Sequence, residues 1–249
     1  MWRALLYKSW LETRSRFLWG SLLVSGTVSN SVLQGPRVMR AVHQQLPGMH
    51  MPFPRYLWET VYHGSLLAAW IALVVLLGLG GLRTEQSSDA STFTLSLPAR
   101  RSKFLQAQAS VALGEALVLG FMPTLLVPAL SAFIGQAFSL GQALYYAVLL
   151  VGAGSVFYGW TVLLSQLTQR RLTALTISGA SIGAFFVLVK TIRALDEFDV
   201  FDIMCGEDML DRHTFLLHGP LPWVRLAVTL TVTLWMLGLS MVLLERHDF

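Results

Sequence analysis

Glu115 is the ionisable side chain that sits deep inside a long apolar stretch of this sequence. A carboxyl group placed in hydrocarbon is costly, so such a residue either handles protons or ions or is satisfied by a neighbouring helix. Two roles stand side by side for it: a protonatable group facing a pathway, or an interhelical hydrogen bond that fixes packing. Ser21, Ser25 and Ser29 recur every four residues on one face of another apolar stretch, and Gly179 and Gly183 share that spacing. Small residues so placed let helices approach closely, and the serines could also line a weakly polar substrate path at a dimer interface.

Other chemistry is excluded or weakly encoded. A phosphate loop needs Gly-Lys followed by Ser or Thr, yet Tyr7, Ser102 and Val189 precede the lysines, so the chain cannot hold a nucleotide in that way. His-Glu-x-x-His and Gly-x-Ser-x-Gly are both missing, which leaves no catalytic constellation. Met49-His50-Met51, with His43 and His63 nearby, offers ligand types suited to Cu(I) but no tight repeated spacing. The acids of 193–220 lack a calcium-loop pattern and read as a solvated face. Cys205 is the single cysteine, so no internal disulfide forms.

The elements that must position these residues are set by composition. Hydrophobic residues make up 54% of the 249 and charged residues 13%, about half the charge of an ordinary soluble domain. Such a chain cannot cover itself with water-compatible groups and needs lipid. Runs of roughly 17–25 apolar residues place six spans, at about 17–33, 65–82, 104–133, 143–167, 172–189 and 221–244. They are apolar all round rather than alternating, which predicts helices and not a barrel. The first is diluted by serine, threonine and asparagine. Before it, Trp2, Leu5, Leu6, Trp10 and Phe17 recur at helical spacing among Arg3, Lys8, Glu12, Arg14 and Arg16. That pattern predicts an amphipathic helix over 1–16 lying in the membrane interface. The expected fold is an all-α integral membrane protein: this interfacial helix, then a six-helix transmembrane domain over 17–249.

Basic residues lie in short groups between the apolar runs, which suits topology signals rather than a nucleic-acid face. With the N-terminus inside, the inner side holds Arg3, Lys8, Arg14, Arg16, Arg83, Arg100, Arg101, Lys103, Arg170, Arg171 and Arg246. The outer side holds Arg37, Arg40, Arg55, Lys190, Arg193, Arg212 and Arg225. Both termini are expected in the cytoplasm, with long outer segments over 34–64 and 193–220. The first, with Pro36, Pro47, Pro52 and Pro54, cannot be one continuous helix. The second interleaves Leu195, Phe198, Phe201 and Cys205 with acids, as a short amphipathic helix would. The start of the chain lacks the pattern of a cleaved signal and reads as retained.

The segment between the second and third spans, RTEQSSDASTFTLSLPARRSKF over 83–104, is polar in its first half. It turns apolar at Phe93, Leu95 and Leu97, breaks at Pro98 and ends in Arg100, Arg101 and Lys103. It resembles the signature of ABC-2-type transporter permeases, where a Leu-Ser-Leu-Pro run and paired arginines precede the third span. Glu85, Phe93, Leu95, Ser96, Leu97, Pro98, Arg100 and Arg101 match, while Asp89-Ala90 stands where the family usually has Gly-Thr. The expected layout also resembles that family, in a type V exporter-like arrangement.

The resemblance implies the membrane subunit of an ATP-driven exporter in a bacterial plasma membrane. It implies a second permease subunit, most simply a homodimer, and two copies of an ATP-binding subunit that hold ATP and magnesium. No cofactor is expected in this chain itself. The 83–104 segment would be the coupling helix, and the loop carrying Arg170 and Arg171 would lie against the same partner. A hydrophobic or amphipathic cargo would fit the apolar spans. The competing expectation is an ion-coupled carrier or accessory membrane protein that uses Glu115.

Overall fold

The computed structural model describes residues 2–45, 51–79, 101–168, 170–192 and 199–246. Among them there is no β-strand, only an isolated bridge between Leu210 and Leu217. Six long helices are present: α1 Trp2–Gln45, α2 Phe53–Gly78, α3 Arg101–Phe133, α4 Leu140–Leu167, α5 Arg171–Thr191 and, after the short α6 Val200–Cys205, α7 Trp223–Arg246. Five of them, all but α1, hold stretches long and apolar enough to cross a membrane. Leu125, Phe133, Leu172, Val187, Leu234 and Trp235 remain exposed on the outside of the assembly. Apolar side chains turned outward on helices of this length fit a multi-pass membrane protein.

The two elements expected over 1–33 are a single helix. Nothing between Arg16 and Phe17 interrupts it, since neither glycine nor proline occurs there, and α1 runs on through Pro36 to Gln45. The outer segment expected over 34–64 is accordingly mostly helical. One turn before Pro36, the Tyr56 hydroxyl donates to the Ser31 carbonyl (2.6 Å), and Gly35 lies against the Tyr56 ring. α2 begins at Phe53, with Pro52 as its cap and Pro54 in the first turn, positions where the missing N–H of proline costs nothing. Its Leu57–Ser65 stretch is a π-helix, in which Leu66 N–H reaches back to the Val61 carbonyl.

Neighbour contacts fix the directions. Gly20 of α1 lies at Leu73 and Gly35 at Tyr56, so α1 and α2 are antiparallel. Leu5 clusters with Ala107, and Thr13 bonds Glu115, so α1 and α3 run parallel. Gly120 lies at Val151 while Tyr158 reaches Ala109, so α3 and α4 are antiparallel. α5 runs back against α4, and Trp160 of α4 donates to Ser181 of α5 (2.8 Å). Leu226 lies at Gly152 and Thr233 at Gly159, so α7 follows α4 in direction. The first turns of α1, α3 and α5 and the last turns of α2, α4 and α7 therefore share one end of the bundle, termed here the N-terminal end.

The opposite end carries a cap built from 199–222. Asp199 caps α6 through the amides of Phe201 (2.8 Å) and Asp202, and α6 stops at Gly206, whose φ of 67° needs a residue without a side chain. Of the short helix expected in this acidic segment, α6 holds Phe201 and Cys205, buried with Val200, Ile203 and Met204, while Leu195 and Phe198 lie outside the described residues. The Gln142 amide pairs both backbone groups of Leu217 (2.9 and 3.0 Å), as a neighbouring strand would. Tyr145 donates to Gly219 O (3.0 Å), Trp58 to Cys205 O (3.1 Å), and Arg225 pairs with Asp208. α4 is central, with 61% of its most apolar window buried, against 22% for α5.

Candidate functional site

At the N-terminal end, polar side chains face the interior where α1, α3 and α4 meet. Glu115 is buried, 6% exposed, and its Oε1 accepts from the Thr13 hydroxyl at 2.5 Å. Thr13, also buried, has further possible acceptors in the Ser9 carbonyl at 3.1 Å and the Trp10 carbonyl at 3.4 Å. These acceptors share one proton. An ionised Glu115 takes it; a protonated Glu115 can donate to Thr13 Oγ1 instead and turn the Thr13 proton onto a backbone carbonyl. The Thr13 hydroxyl is therefore a relay set by the charge of Glu115.

The surroundings extend this cluster. Arg16, one turn beyond Thr13, is the cation that acts on Glu115, and its guanidinium also donates to Leu76 O of α2 (3.4 Å). Tyr158 of α4 donates to Ala109 O (3.4 Å) and stands close enough to interact electrostatically with the carboxyl. Ser9 Oγ, Gln108 Oε1, Glu115 Oε2 and both polar atoms of the Gln166 side chain are buried without a protein hydrogen-bond partner. Each such atom costs roughly 1–3 kcal/mol if left dry. Interiors normally satisfy such groups with ordered water. Ten residues separate Leu105, where the apolar run of α3 begins, from Glu115, a rise of about 15 Å. The carboxyl thus lies at hydrocarbon depth along α3 while touching the charged first third of α1.

Glu115 is not the isolated acid that its place in the sequence implies, because α1 brings Thr13 and Arg16 to it. Thr13, Ser9 and Gln108 were missed as candidates. The available signal was a row of small or mildly polar residues, Leu5, Ser9, Thr13, Gly20, Val24, Val28, Val32 and Gly35, marking the buried side of α1.

Ser21, Ser25 and Ser29 lie beside that row, half-exposed. Ser21 and Ser25 donate back along the helix to Phe17 O (2.9 Å) and Ser21 O (2.6 Å). Gly179 and Gly183 also have nothing within reach of an added Cβ, so they mediate no close helix contact within the described chain. Arg170 is exposed before α5, and Arg171 and Arg101 open α5 and α3. Glu85, Phe93, Leu95, Ser96, Leu97, Pro98 and Arg100 lie outside the described residues. So do Met49 and His50, and among the described residues no group of His, Cys, Asp and Glu could hold a metal ion.

Comparison with known proteins gives no support from likeness. No family model, curated protein or solved structure matches the chain.

Proposed function

We propose that this chain is the membrane permease subunit of an ATP-driven exporter, working with separate ATP-binding subunits that hold ATP and magnesium. The observation that carries the reading is the two-faced bundle. The end of α2 and the start of α3, the end of α4 and the start of α5, and both ends of the described chain share the N-terminal end, while 199–222 closes the opposite end. A docked partner pulling on the 83–104 segment would move α3 directly, and the Thr13–Glu115 hydrogen bond would pass the movement to α1. Alternation of six long helices supports six crossings with both termini cytoplasmic in a bacterial plasma membrane. The reading includes a second permease copy and a hydrophobic or amphipathic cargo.

The test is co-purification of the tagged protein in mild detergent with mass spectrometry of what is retained. A stoichiometric ATP-binding protein is expected, lost in Leu95→Asp/Leu97→Asp. Its absence from well-folded preparations sinks the proposal.

One observation favours a second reading, an ion-coupled carrier. The Thr13 relay ties the hydrogen bonding of α1 to the protonation of Glu115. Uptake by the chain alone in proteoliposomes, driven by a proton gradient and abolished in Glu115→Gln, would select that reading over the first.

A further inference from the structure

Between α1 and α3 the buried oxygens Glu115 Oε2, Ser9 Oγ and Gln108 Oε1 have no protein hydrogen-bond partner, in side chains at most 7% exposed. The two helices run parallel, with Thr13 at Glu115 and Leu5 at Ala107, so positions on one can be set against the other. At a rise of about 1.5 Å per residue, Ser9 stands about 6 Å from Thr13 and Gln108 about 10 Å from Glu115, both toward the N-terminal end. Ser9 lies one turn from Thr13 and Gln108 two turns from Glu115, so each shares a helix face with its neighbour. The unpartnered oxygens thus form a stepped row, at intervals of roughly 4–6 Å along the bundle, which one or two bridging waters span. The row is one-sided. Lys103 and Gln106 of α3 are exposed within two turns of Gln108. Toward the capped end the interface is apolar and tight: Val24 and Val28 are fully buried, and an added Cβ at Gly20 would strike Leu73 and crowd Leu119. The next polar side chain of α3 in that direction, Thr124, lies about 14 Å beyond Glu115.

We propose that Glu115 exchanges protons with the compartment at the N-terminal end through a file of bound waters carried by Gln108 and Ser9, and is closed to the capped side. This deepens the ion-coupled reading of Glu115, and rests on it only in that the carboxyl takes up a proton. It names the ligand, a hydrated proton, and the side from which it comes. A proton entering at Gln108 is handed along the file, each water accepting one and releasing one. It ends on Glu115 Oε2, the oxygen that Thr13 leaves free. The file gains no net charge, and the carboxylate loses one negative charge. Arg16 on α1 and Tyr158 on α4 are the charged and titratable groups that act on this carboxyl. Lys8 and Glu12 pair with each other (3.5 Å), and α2 carries Arg55, Glu59 and His63 near the capped end. α7 meets α3 at Gln106 and Met241 (3.7 Å) and carries its charges at its two ends.

The experiment is infrared spectroscopy of the full chain in hydrated phosphatidylcholine films, with water exchanged for deuterium oxide at a series of pH values. The carboxyl C=O band that is missing in Glu115→Gln reports protonated Glu115, and its downshift in deuterium oxide reads how fast water reaches it. Wild type should shift within seconds. Gln108→Met, of nearly the same length but without the amide, should slow the shift roughly tenfold, whereas Gln108→Asn should keep most of the rate. Thr124→Val, on the capped side, should leave it unchanged. Unfolding temperatures check that each variant folds, and Gln108→Leu replaces Gln108→Met if that one does not. A shift as fast in the Gln108 variant as in wild type, an equal slowing in Thr124→Val, or no Glu115 band at any pH where the protein stays folded overturns the proposal. So does a band that appears only when sodium is replaced by choline, since the row would then hold a metal cation. The readout needs neither cargo nor gradient. A fast shift without proton-driven uptake ends the carrier reading and leaves the proton path standing; uptake with a wild-type shift that takes hours does the reverse.

Discussion

At the scale of single residues, the Thr13–Glu115 pair decides how α1 is held. Removing the hydroxyl in Thr13→Val leaves Glu115 Oε1 buried without its donor, a loss of about 1–3 kcal/mol. Thr13→Ser keeps the donor and should lose well under half as much, as read by thermal unfolding in detergent. In the cap, Asp202 shares Lys190 with Asp199 (2.5 and 2.9 Å), yet its carboxyl is pushed up to about 6. Burial is the main cause, and the charges of Asp199 and Glu207 add to it against the pull of Lys190. Between its ordinary value of 3.8 and about 6, the folded protein keeps a proton that the unfolded chain has released. Stability from this group is therefore present at low pH and falls as pH rises through that window. The unfolding temperature should carry a downward component between those values that disappears in Asp202→Asn. A slope retained in that variant would place the titration elsewhere.

At the scale of helices, close approach around Trp70 organises the centre. Trp70 is 1% exposed, and Gly120 of α3 and Gly154 of α4 both lie against its indole ring. A Cβ at 154 would strike the ring nitrogen of Trp70 and come within 3.0 Å of Met204 Cε. Gly154→Ala should therefore destabilise by about 1–3 kcal/mol through overpacking. Gly238→Ala in α7, where an added Cβ meets nothing, should be neutral or slightly stabilising. Equal unfolding temperatures for the two variants would mean that the α2–α3–α4 contact is looser than drawn. These glycines also show what was legible in the sequence. Five apolar helices could be read from continuous hydropathy, because lipid-facing and core-facing residues are alike there. α1 could be placed only in part, since its buried side is written in residue size, from Ser9 and Thr13 to Gly20 and Gly35, and hydropathy does not register size. The cap was legible as an acidic amphipathic segment. Its closure was not, because it depends on single side chains of distant helices reaching backbone groups, such as Gln142 at Leu217 and Trp58 at Cys205.

At the scale of the whole molecule, the number of crossings turns on α1. Its hydropathy does not place it among the five candidate spans, yet its contacts run the length of the bundle, from Leu5 at Ala107 to Gly35 at Tyr56. A helix of 44 residues is about 66 Å long, well over the roughly 30 Å of hydrocarbon. Its charged first turns and polar last turns can therefore extend beyond the core on both sides. Crossing would put the two ends of α1 in different compartments, whereas a helix lying on one surface would keep them together. Cysteines introduced at exposed or half-exposed positions resolve this, since the native Cys205 is buried and its thiol is pushed up by burial, which keeps it unreactive. Tyr7, Lys103 and Arg170 mark the N-terminal end; Arg40, Gln136 and His213 mark the capped end. With a membrane-impermeant maleimide, Tyr7→Cys, Lys103→Cys and Arg170→Cys should label from one side of sealed vesicles. Arg40→Cys, Gln136→Cys and His213→Cys should label only from the other. If Tyr7→Cys and Arg40→Cys label from the same side while the other four divide as stated, α1 does not cross. The chain would then have five spans and termini on opposite sides, and a permease with both ends facing an ATPase would no longer fit.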